Sequence, residues 1–309
     1  MSRYIVSGYA IVDNIIPYGE TEPQATRLGG GAMYALSGIR LWEDDVTLAL
    51  YTGRNFERLY GRWLKTNGID WSGVVISTEH VRTVELSYNS EGTFTSVDQF
   101  ADEYADNKQN VTRQLLEPVT GDATKGIYIL RDPDPYALAD IHKMCREKSI
   151  RFGTEFSVNH LLDSGDMYDL FKEVTKHMDF FSLNFFECSR LFSSCRDIED
   201  AKEILCSFDT TCFLRDGTNG AYLLAEGKEY FAPMISEFGE QDPAGCGNTS
   251  TSSAFWALCE GYDPMVAVYT GAVTASVNAG QKGMIKYLDN ELREKCRGLV
   301  ERYTGAKMN

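Results

Sequence analysis

The residues best placed to do chemistry lie in Asp242-Pro-Ala-Gly-Cys-Gly-Asn248, directly ahead of Thr249-Ser-Thr-Ser-Ser-Ala254 and an apolar run to Cys259. The first turn of a helix carries backbone N–H groups with no intrahelical partner, and the helix dipole makes that end positive. Glycines at 245 and 247 remove the side chains that would keep an anion from those groups, so the segment reads as a phosphate-binding turn. The same residues also describe an ordinary capped helix after a glycine turn. Earlier in the chain, Gly29-Gly30-Gly31-Ala32-Met33-Tyr34-Ala35 opens a long helical pattern. Adjacent glycines let a backbone come close to a polyhydroxylated ligand, or simply let a helix pack on a strand. Asp13 closes the first apolar run, where a carboxylate could accept hydrogen bonds from two neighbouring hydroxyls or serve as a turn residue. In Asn184-Phe-Phe-Glu187, a spacing of three puts an amide and a carboxylate on one face of a starting helix. That pair spells a capping box.

Together these segments resemble the ribokinase-like (PfkB-type) carbohydrate kinase family, whose C-terminal signature has the form D-T-x-G-A-G-D followed by a helix. Asp242, Gly245 and Gly247 match in register, with Pro243 for the Thr, Cys246 for the small Ala and Asn248 for the closing Asp. The resemblance extends over nearly the whole chain. It implies an anion hole at Gly245-Cys246-Gly247, acceptor-sugar contacts from Asp13, Gly29, Gly30 and Tyr34, and Mg²⁺ organised through water by Asn184 and Glu187. Asp242, the glycine turn at Gly217 and the helical Asn278 are then expected beside ATP. Ile11 stands where the family usually has an Asn, so the pattern of hydroxyls read is expected to differ. Family members often pair through a lid sheet, which implies a homodimer.

The departure at 248 matters because the family's Asp takes the proton of the acceptor hydroxyl, and an amide does not accept a proton near neutral pH. A positioned base contributes about 10²–10⁴ in rate, or roughly 3–5.5 kcal/mol of barrier. The chain is therefore expected to bind ATP and a sugar-like acceptor but to transfer slowly unless another carboxylate such as Asp242 reaches the hydroxyl. An Asp restored at 248 is expected to raise transfer at least about a hundredfold. The alternative is a catalytically weak or silent relative that works as a sugar- or nucleotide-binding protein.

The elements that must position these residues are legible as alternation. Apolar β-like runs at Tyr4–Ile11, Val46–Tyr51, Ile127–Leu130, Ile150–Thr154, Phe180–Leu183 and Thr211–Leu214 are separated by helix-length stretches. Helical periodicity is clearest in Ala32–Trp42, Phe56–Asn67, Tyr136–Lys148, Thr249–Glu260 and Pro264–Ala279. The expected fold is α/β, with a mainly parallel sheet covered by helices on both faces. The alternation breaks after Trp71, where a Val/Thr-rich stretch with a turn at Glu91-Gly92 predicts a β insertion. A small lid with strands at about 12–20 and 71–100, on a single domain spanning 1–309, is the economical reading, since lids serve water-excluding sites.

Composition narrows the partners. A net charge of −15 with no cluster of Lys and Arg disfavours nucleic acid. The eight cysteines show no C-x-x-C pair and read as reduced, structural thiols. No apolar stretch reaches membrane-spanning length and the start lacks a basic leader, so a cytoplasmic protein is expected. The P-loop lysine and the G-x-G-x-x-G dinucleotide turn are both missing, and His80, His142, His160 and His177 form no motif.

Overall fold

The computed structural model describes residues 2–91, 94–104 and 110–308. The near-continuous apolar runs form the middle of a nine-stranded sheet. Tyr4–Ser7 (β1), Val46–Gly53 (β4) and Gly126–Arg131 (β8) bury almost every residue, as strands covered on both faces must. Beyond β8 lie Arg151–Phe156 (β9), Phe180–Asn184 (β10) and Thr211–Arg215 (β11), and beyond β4 lies Asp70–Thr78 (β5), all parallel. Ala221–Ala225 (β12) and Lys228–Ala232 (β13) finish the other edge in antiparallel pairing.

Side chains alternate between two apolar layers, since successive residues of a strand face opposite ways. Tyr4 and Val6 join one layer while Ile5 joins the other. The first layer is closed by Gly31–Trp42 (α1), Phe56–Thr66 (α2), Cys246–Cys259 (α9), Pro264–Ala279 (α10) and Asn290–Thr304 (α11). The second is closed by Pro135–Glu147 (α5), Tyr168–Val174 (α6), Phe185–Leu191 (α7) and Ile198–Cys206 (α8), with the single turn Arg113–Leu116 (α4). Ala101–Tyr104 (α3) is a further single turn. The Ser/Thr run of α9 is buried from Thr249 to Ser253, and its hydroxyls return to helix carbonyls, as in Thr249 Oγ1 to Gly245 and Ser253 Oγ to Thr249. Small residues there let α1 approach closely: a Cβ at Gly38 would stand 2.2 Å from Ser252 Oγ.

Two sequence expectations change. The run Tyr4–Ile11 is two strands, because the chain turns at Gly8 and Ile11–Ile16 (β2) starts a second sheet. That sheet has the order Ala25–Gly29 (β3), β2, Arg82–Tyr88 (β6), Phe94–Asp98 (β7). The small sheet was anticipated, but residues 70–78 belong to the large one, running parallel to β4 with Gly73 allowing close approach to Ala49. Val/Thr-rich composition suits either sheet, so it could not decide between them. The polar strand β3 carried no apolar run to announce it. Gly92 of the expected turn lies outside the described residues.

Candidate active site

The turn 242–248 sits where the small sheet, the large sheet and α9 meet. Gly245 caps α9 at φ +79°, a left-handed conformation that side chains rarely adopt, and a Cβ there would lie 2.0 Å from the Tyr34 ring. Beneath the turn, Asn278 on α10 donates to the Ala244 carbonyl at 2.7 Å. Asn278 is fully buried, so it supports the turn from behind and does not line the adjoining cavity. Among the described residues the N–H groups of Gly247 and Asn248 have no protein acceptor, which leaves them for a ligand.

On one side of this turn opens a cavity of about 850 Å³ lined by Asn184, Arg215, Gly217, Asp242, Cys246 and Gly247, with apolar walls that include Phe186 and Met234. Asn184 and Glu187 form a complete capping box: Asn184 Oδ1 accepts from the Glu187 N–H and the Glu187 carboxylate accepts from the Asn184 N–H, both at 2.7 Å. Burial holds the Glu187 carboxyl above its ordinary pKa, opposed by Arg215 at 3.6 Å. The capping reading of this pair is therefore realised.

On the other side, Asp13 lies mid-strand in β2 and not at the end of the first strand. It stands directly across from Arg27 of β3 in the antiparallel register, so the two side chains are cross-strand neighbours. Arg27 Nε is 3.6 Å from Asp13, and its Nη1 reaches Asp242 at 3.0 Å. Burial raises the Asp13 pKa, with Arg27 opposing and Asp242 adding to the rise. Tyr34 is wedged between two glycines, since a Cβ at Gly29 would meet its ring at 2.8 Å. Burial pushes its phenol up to about 12, and its hydroxyl is buried without a partner. Gly30, at φ +97°, presses against the backbone of Tyr9 and Ile11, where a Cβ would come within 2.4 Å. Gly30 thus packs the start of α1 against the crossover from β1 to β2.

Two residues that converge on the turn escaped the sequence reading. Arg215, at the end of β11, pairs with Glu155 of β9 at 2.9 Å and lies against Gly247. Burial works against its charge, but Glu155 and Glu187 hold its pKa above the ordinary value. Glu155 also accepts from Tyr128 at 3.1 Å and from Asn248 Nδ2 at 2.9 Å. A signal existed for Arg215, the single charge ending β11, since a charge in such a place is rarely buried without a partner; Glu155 shares β9 with Arg151 and gave a weaker one. Among the described residues no cluster of three or more metal-ligating side chains occurs, and no helix is long and apolar enough to cross a membrane. All eight cysteines are free.

A model of the pfkB family of carbohydrate kinases matches residues 14–291. No curated protein matches the chain. Among solved structures, a nucleoside kinase of Methanocaldococcus jannaschii, described as an archaeal member of the ribokinase family, is 20% identical with a TM-score of 0.69, over 96% of this chain and 99% of that one. A Burkholderia thailandensis nucleoside kinase in complex with inosine is 14% identical with a TM-score of 0.75, over 98% of each chain. An Arabidopsis thaliana ribokinase complexed with ribose and ATP is 17% identical with a TM-score of 0.74, over 97% of this chain and 99% of that one. The fold is ribokinase-like.

Proposed function

Because the chain belongs to the pfkB family of carbohydrate kinases, we propose that it transfers the terminal phosphoryl group of ATP to a hydroxyl of a sugar or a sugar-like molecule such as a nucleoside. The observation that carries this reading is the position of the turn Gly245-Cys246-Gly247. The free N–H groups of Gly247 and Asn248 lie between a preformed cavity and the partly buried Asp13 and Arg27 with the buried Tyr34, so a phosphate could be held between two binding sites. The structural neighbours bound to ribose, ATP and inosine support both sites.

In this reading the nucleotide takes the cavity, with its phosphates toward Gly247 and the Arg215 guanidinium. Asp13 and the Gly29–Gly30 segment face the acceptor. Mg²⁺ fits the donor set because such ions keep most of their water and take one or two carboxylates plus phosphate. Glu187 would hold it through water, and the ion would supply charge neutralisation at the phosphates. In transfer, the acceptor oxygen bonds to the terminal phosphorus as the bond from phosphorus to the bridging oxygen breaks and ADP leaves. The hydroxyl proton must then find a base, and Asn248 is not one. Asn248 also supports a second reading, a binding protein with weak or no turnover. A cytoplasmic setting and pairing through the small sheet, which exposes Val97, complete the proposal.

Thermal-shift screening of sugars and nucleosides with and without Mg·ATP separates the two readings when followed by single-turnover phosphate transfer on each binder. The kinase reading expects one acceptor class that stabilises the protein and becomes phosphorylated. Binding without transfer to any acceptor would favour the second reading.

A further inference from the structure

Position 248 cannot be understood apart from Glu155. The Asn248 amide nitrogen stands 2.9 Å from Glu155 Oε2, and Glu155 is only 5% exposed. An ionised carboxylate accepts hydrogen bonds and cannot donate them, so it fixes which end of the amide faces it. A planar amide that gives its nitrogen to Glu155 turns its oxygen the other way. We propose that Glu155 is a positioning residue for Asn248: it holds the amide with nitrogen inward and oxygen toward the acceptor hydroxyl, and its own charge demands an uncharged side chain at 248. The acceptor part of this inference rests on the kinase reading above. The charge coupling does not.

The surroundings bear this out. The charged and titratable groups facing the pair are Tyr128 from β8 and Arg215 from β11, with Glu187 from α7 beyond the guanidinium. From α1 the backbone of Gly31 comes close, where an added Cβ would lie 3.5 Å from Asn248 Nδ2. One arginine therefore already serves two carboxylates, the buried Glu155 and the partly buried Glu187. An Asp at 248 would bring a third, within hydrogen-bond distance of Glu155, and like charges so close cannot both ionise readily. Restoring an Asp is then not a simple repair. The gain in transfer expected of Asn248→Asp from the sequence alone should appear near neutral pH only when Glu155 is neutralised as well.

The test compares wild type, Asn248→Asp and the double variant Asn248→Asp/Glu155→Gln by thermal unfolding between about pH 4 and pH 8. The new carboxyl, with its folded pKa raised above the usual value near 4, leaves stability intact below that value and removes it as pH rises through the folded pKa. The single variant should therefore lose ground to wild type by a widening margin as pH increases, and the double variant should not. Parallel curves for the two variants would overturn the coupling. This arm needs no catalysis, so it stands even if no form transfers phosphate. The second arm is single-turnover transfer with the acceptor identified by screening. Glu155→Ala should lower the single-turnover rate at least tenfold, and Glu155→Gln, which still offers an oxygen to the Asn248 amide, should recover part of the loss. An unchanged rate in Glu155→Ala, or no recovery in Glu155→Gln, would reduce Glu155 to a structural residue.

Discussion

The two sides of the turn 242–248 are prepared for their ligands in opposite ways. The side facing Arg215 and Gly217 is an open cavity of about 850 Å³ with apolar walls. The side facing Asp13 is closed: Arg27 engages both Asp13 and Asp242, and Tyr34 fills the space between Gly29 and Gly245. A ligand can enter the first side as it stands. On the second, hydroxyls must compete with a guanidinium that already occupies the carboxylates. The small sheet carries both Asp13 and Arg27 while Asp242 belongs to the turn, so the Arg27–Asp242 ion pair also ties the small sheet to the turn. The lesson is that one half of the site spends interactions within the protein that the other half leaves for its ligand.

The largest expected effect breaks the support shared by both sides. Replacing Arg215 by Ala leaves the buried Glu155 and the partly buried Glu187 without their counter-ion, and losing one partner of a buried ion pair costs about 3–5 kcal/mol. Chemical denaturation should show that loss, and Arg215→Lys should restore only part of it, since a point charge cannot reproduce the fork. A stability change under about 1 kcal/mol would mean the carboxylates find other partners.

Next in size is the turn itself. Gly245→Val places a branched side chain at φ +79° and drives it into the Tyr34 ring, so nucleotide-linked stabilisation should vanish and acceptor binding should suffer with it. Gly247→Ala, which meets only the movable end of Arg215, should weaken nucleotide binding alone. Unchanged ATP stabilisation in a folded Gly247→Ala protein would move the anion site elsewhere.

The smallest effect is a titration on the closed side. Asp13 has a raised pKa, mainly through burial. Its contribution to stability is therefore full below the unfolded value near 4 and is lost as pH rises through the folded value. Asp13→Asn removes that loss, so its melting temperature relative to wild type should climb as pH rises from about 4 to 7. The same substitution should weaken acceptor binding far more than ATP binding. A pH-independent difference, with both ligands equally affected, would show that Asp13 is structural and that the two sides do not divide as described.

The alternating fold was readable because period and length need no long-range information: apolar strands of four to eight residues and helices with a repeating face announce themselves. The glycine turn ahead of α9 was readable for the same reason, since Gly245, Gly247 and the helix they open are contiguous. Tertiary structure alone decided that residues 70–78 join the large sheet and that Asp13 sits across from Arg27. It also decided that Asn278 is a buried support, and that Glu155, more than ninety residues before Asn248, sets the amide at that position. Local sequence fixes backbone propensity within a few residues. The environment of a buried charge depends on which strands become neighbours, and strand order places β9, β10 and β11 side by side so that Glu155, Glu187 and Arg215 converge beneath a helix that enters from far along the chain.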